Sequence, residues 1–184
     1  TQFAYTHDTT APAMVITTTS GITTGDTSND ATIAYVFTAG QATTNFDSSD
    51  IDVTGGTITA FAADGGSTTV YLATFTPSGQ GATSVAVAAG AFTDAAGNAN
   101  TVSNTVAWTF DSVGPTMTIT SSGSANGGAS NAAVTLTFTS NEPTANFDVT
   151  DISVTNGALS SFAAGSTTVY TATFTPSAEG SMTI

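Results

Sequence analysis

The densest run of oxygen-bearing side chains in this chain is Asp94-Ala95-Ala96-Gly97-Asn98-Ala99-Asn100. Calcium takes six to eight oxygen ligands, and a turn at Gly97 could fold Asp94, Asn98 and Asn100 around such an ion. The run lacks the bidentate Glu and the ligand density of an EF-hand loop. The same residues also fit a plain turn whose Asx side chains bond their own backbone. Asp8 and Asp111 each stand four residues before a proline, Pro12 and Pro115. They read as calcium ligands at a junction between structural units, or as solvated strand ends beside an edge-blocking proline. Asp47, Asp50 and Asp52, with Asp148 and Asp151 further on, form a second acidic cluster. It reads as a candidate site or as Asx turns that precede a strand. Asp26, Asn29 and Asp30 form a third group, whose later counterpart holds only Asn126 and Asn131.

Covalent and acid–base chemistry finds little to work with. His7 is the only histidine and there is no cysteine, so neither a zinc site nor a nucleophilic triad is expected. Paired Asp residues could in principle serve a glycosidase, but no insertion between them is long enough to build a cleft. No enzyme activity is expected.

The charge balance excludes further classes. The chain has 184 residues, 13 acidic side chains and no Lys or Arg, for a net charge of −13. Only 7% of residues are charged, against roughly 25% in an average protein. Phosphate backbones and anionic membranes therefore find no basic patch, and neither is expected as a partner. Metal cations or a salty medium suit this charge instead. No run of 18 apolar residues occurs to span a bilayer. Thr is the commonest residue, at 41, followed by Ala at 30. Exposed Thr and Ser offer sites for O-linked glycans, whereas no Asn-x-Ser/Thr sequon is present.

The elements that position these side chains come in a repeat. Thr43-Thr44-Asn45-Phe46-Asp47 through Asp50-Ile51-Asp52-Val53-Thr54 returns 101 residues later as Thr144-Ala145-Asn146-Phe147-Asp148 through Asp151-Ile152-Ser153-Val154-Thr155. Ser67–Ser78 returns as Ser166–Ser177, and Asp8–Pro12 as Asp111–Pro115. Ala4–Asp8 aligns with Ala107–Asp111, so residues 1–8 are expected to be the last strand of a preceding copy. Repeat 1 then spans 9–110. Repeat 2 spans 111–184 and is expected to be incomplete at its C-terminal end, a window from a longer tandem array.

Within one repeat, short runs alternate apolar and polar residues, the signature of half-buried strands. They are Met14–Thr18, Ile33–Thr38, Ile51–Thr54, Ile58–Phe61, Val70–Thr76, Thr83–Val87 and Val102–Phe110; Val134–Thr139 is the clearest in repeat 2. About seven strands in a ~101-residue repeat predict an all-β fold of tandem immunoglobulin-like β-sandwiches. Met14, Ile16, Ile33, Tyr35, Phe37, Phe46, Ile51, Val53, Phe61, Tyr71, Phe75, Val85, Val87, Phe92, Val106, Trp108 and Phe110 are the predicted core of repeat 1.

Four motifs in order, Asp8-Thr9-Thr10-Ala11-Pro12, Phe46-x-x-x-Asp50-Ile51-x-Val53-Thr54-x-Gly56, Tyr71-x-Ala73-Thr74-Phe75-Thr76-Pro77 and Ala89–Asn100, resemble the bacterial Ig-like repeats of large secreted adhesins and other cell-surface proteins. The resemblance implies extracellular, repetitive architecture whose partners are neighbouring repeats or further copies of the chain. The expected function is a structural spacer, with calcium stiffening acidic loops and junctions. One alternative is a self-assembling filament or surface-layer subunit completed by strand addition between chains. Another is a carbohydrate- or ice-binding module, prompted by Thr-x-Thr runs such as Thr116–Thr120 and Thr135–Thr139.

Overall fold

The computed structural model describes residues 2–184. It divides into two compact units, Thr1–Ser112 and Val113–Ile184. Strands account for nearly all of the regular structure in both. Thr1, included in the sequence-based strand at 1–8, lies outside the described residues; Gln2–Asp8 carries no strand.

The first unit contains β1 (Met14–Thr18), β2 (Thr27–Ser28), β3 (Ile33–Ala39), β4 (Ile51–Thr54), β5 (Gly56–Ala63), β6 (Val70–Pro77), β7 (Gly81–Val87) and β8 (Val106–Phe110). They form two four-stranded sheets, ordered β1-β3-β6-β5 and β2-β8-β7-β4. Every pairing is antiparallel except the two-residue β2, which runs parallel to β8. This is the strand order of an immunoglobulin-like sandwich, two sheets face to face over one core.

Alternation along each strand builds that core. Ile33, Tyr35 and Phe37 of β3 are fully buried, and Ala34 and Thr38 face water. Phe46 is the hub of an aromatic cluster, with ring centroids of Phe37, Phe61, Tyr71 and Phe92 between 5.1 and 5.8 Å away. Trp108 donates its indole N–H to the Tyr35 hydroxyl at 3.1 Å and meets Phe75 edge-on. The predicted core residues are buried, except that Val53, Phe61 and Phe110 are partly buried against the cluster.

Two strands differ from their sequence-based reading. Val102–Phe110 contributes a strand only from Val106. Ser103 and Asn104 satisfy backbone groups of other strands with their side chains, and such competition displaces a ladder. In β5 a bulge separates Thr59 from Ala62, with Ala60 at φ 51°. The extra residue shifts the alternation by one, so Ile58 and Phe61 both turn inward and Phe61 stacks on Tyr71 at 5.6 Å.

The second unit contains β9 (Met117–Ser122), β10 (Val134–Ser140), β11 (Gly157–Ala164) and β12 (Val169–Pro176) in one sheet, ordered β11-β12-β10-β9. It reproduces the first sheet of the first unit, down to the bulge: Ser161, at φ 53°, lies between Ser160 and Ala163 where the register shifts. Leu136, Phe138, Tyr170, Ala172 and Phe174 form its buried core, with Phe147 against Phe138, Phe162 and Tyr170.

Candidate functional site

The Asp94 run lies between β7 and β8 as a closed turn. Asp94 is 7% exposed. Its Oδ1 accepts the backbone N–H groups of Ala96 and Asn98, both at 2.9 Å, and its Oδ2 accepts the Asn98 side-chain amide at 2.9 Å. The Asn98 amide also donates to the backbone carbonyl of Asp8 at 3.2 Å, tying the turn to the segment before β1. The Asn98 side-chain bond, helped by the backbone donors, holds the Asp94 carboxyl below the usual carboxylate range.

Asn100 faces another way. Its Oδ1 accepts from the Phe92 N–H at 2.9 Å, and its Nδ2 donates to the carbonyls of Ala88 and Thr101, both at 2.8 Å. The fold thus brings together Asp94, Asn98 and Asp8, and directs Asn100 to backbone groups of its own loop. Asp8 and Asp94 line one shallow depression with Thr6, Gln41 and Ala42. Asp8 Oδ1 accepts from Thr10 N–H at 2.9 Å.

Asp94 Oδ1 accepts two donors and Oδ2 one, the Asn98 amide. Among the described residues, no three His, Asp or Glu side chains form a group that could hold a metal. The arrangement is a hydrogen-bonded turn.

In the second acidic cluster, Asp47 with Asp50 and Asp148 with Asp151 form capping boxes. Asp47 Oδ1 accepts from the Ser49 N–H at 2.7 Å and the Ser49 hydroxyl at 2.6 Å, and Asp50 Oδ2 accepts from Asp47 N–H at 2.9 Å. Asp148, Thr150 and Asp151 repeat these bonds at the same distances. Each pair caps one 3-10 turn, Ser48–Asp50 and Val149–Asp151. Hydroxyl and backbone donors of Ser49 and Thr150 pull the Asp47 and Asp148 carboxyls below their ordinary range. Asp52 is exposed on β4, paired with Ala86. Asp111 donates its N–H to the Ser28 carbonyl at 2.9 Å. Asp26 accepts from the Thr23 N–H at 2.7 Å and hydroxyl at 2.9 Å, and these bonds, the backbone one first, lower its pKa.

The Thr-x-Thr runs of the second unit align across strands. Thr120, Thr137 and Thr171 occupy one row, and Ser122, Thr135 and Thr173 the next. Each row runs across neighbouring strands spaced about 4.8 Å apart.

The residue that sequence reasoning missed is Asn104, which joins the segment before β8 to β1 through both ends of its amide. Its only signal is a Ser103-Asn104 pair inside an otherwise strand-like run, two residues that favour side-chain-to-backbone bonds over a ladder.

No curated protein matches the chain. The family model for the bacterial Ig-like domain matches it twice, over residues 8–110 and 111–184. Such domains are generally non-enzymatic structural modules that occur in surface or extracellular proteins. Among the described residues no helix is long and apolar enough to cross a membrane. Two successive matches over nearly the whole length, on a sandwich with the expected strand order, place the chain in the bacterial Ig-like domain family.

Proposed function

We propose that the chain is a spacer segment of a long extracellular adhesin-like or fibrous surface protein, and that its turns hold without calcium. The observation that carries the spacer reading is the tandem family match over 8–110 and 111–184. A structural role also agrees with the fate of the acidic side chains, because Asp94, Asp47 and Asp148 are each engaged by donors of their own turn. Calcium is then superfluous at these loops, and rigidity comes from the packed core and the hydrogen-bonded turns.

Antibodies raised against this chain should label intact cells of the producing organism, and the label should disappear when the cells are shaved with a broad-specificity protease. Labelling only after the cells are permeabilised would refute the surface assignment.

A further inference from the structure

β1 is an edge strand, bonded on one side to β3. Ala13 accepts from Gly40 N–H and Thr19 donates to the Ala34 carbonyl, so the odd-numbered residues bond β3. By the alternation of an antiparallel ladder, the N–H and C=O of Ile16 point away from the sheet. Asn104 takes both. Ile16 N–H donates to Asn104 Oδ1 at 2.8 Å, and Asn104 Nδ2 donates to the Ile16 carbonyl at 2.9 Å.

One side-chain amide therefore makes the two bonds that a paired strand residue would make. Further along the same edge, the Pro12 carbonyl accepts from Thr101 N–H at 3.0 Å, and proline has no N–H to offer. Beside Asn104 runs a groove lined by Ile16, Thr18, Gly21, Ile22 and Val106.

Most proteins discourage edge-to-edge pairing with charge, lysine above all. This chain has no Lys, and Met14-Val15-Ile16-Thr17-Thr18 carries no charge at all. Val15 is 52% exposed on it. We propose that β1 is a strand-accepting edge that Asn104 holds shut, and that its partner when Asn104 is removed is β1 of a second copy, paired antiparallel. Two such strands are uncharged, so no side-chain repulsion within the new ladder opposes them. At 0.15 M salt the remaining acidic groups are screened beyond about 8 Å.

The test is sedimentation of the full chain, of Asn104→Ala, and of Asn104→Ala combined with Val15→Lys. Asn104→Ala should self-associate on the order of tenfold more strongly than the parent for each freed backbone group that finds a partner. Adding Val15→Lys should return it to the parent's behaviour, because antiparallel pairing would bring two lysines together. An Asn104→Ala chain that sediments as the parent does, or whose association survives Val15→Lys, overturns the proposal. Should Asn104→Ala not fold, Asn104→Leu is judged by the same two outcomes; it nearly keeps the side-chain size, adds no charge and removes both hydrogen bonds to Ile16.

Discussion

Asp94 is a carboxylate held in its charged form by donors from its own turn. Its folded pKa is depressed, chiefly by the Asn98 amide. The sign follows: the group adds stability above the ordinary carboxylate pKa of about 4, and that stability is lost as pH falls through the lower folded value. Asp47, Asp148 and Asp26 act in the same direction. Asp94→Ala should lower the thermal midpoint by a few degrees at pH 7, and the gap to the parent should narrow as pH falls below about 4. A gap of constant size as pH falls would show that the carboxylate charge is not what the turn uses. These roles were half-legible in the sequence. Asx-turn spacing is visible in Asp47-x-x-Asp50 and in Asp94-x-x-x-Asn98, but a cation loop has the same oxygens at the same spacing. The donors that reach each carboxylate become visible only in the fold.

At the scale of the element, the strands follow alternation closely where one face is buried. β1 and β4 begin and end where periodicity places them, because Met14, Ile16 and Ile51 must face the core. Alternation fails at Ala60 and Ser161, where the bulge resets the phase, since neither residue type favours positive φ and nothing local announces it. It fails again at 102–105, where apolar Val102 and Val106 mimic a strand and the Ser103 and Asn104 side chains break it. Gly56 marks a third local demand. A Cβ there would overlap the Phe75 ring and lie 2.5 Å from the Thr76 carbonyl oxygen. Gly56→Ala should cost about 1–3 kcal/mol by overpacking, read from the urea midpoint. Gly79→Ala, which meets nothing within 4 Å, should stay within about 0.5 kcal/mol of the parent. Equal effects at the two positions would contradict the packing argument.

At the scale of the whole molecule, the missing Lys and Arg acquire a structural meaning. The wet faces are built largely of Thr, Ser and Ala, with Val15, Asp52 and Leu72 among them, and among the described residues edges are managed by bulges, a two-residue strand and the Asn104 amide. The tandem repeat was legible because two copies in one chain expose each other; the guarding of the edges was not, because it depends on side chains distant in sequence. The most direct measurement is single-molecule pulling of the chain between its ends, with and without EDTA. The first unit should resist and then yield in one step that adds roughly 35 nm, the length of about 100 extended residues at ~3.6 Å each, at the same force in both buffers. Smooth extension without a step would contradict a load-bearing spacer, and a step whose force collapses in EDTA would contradict the claim that its turns hold without calcium.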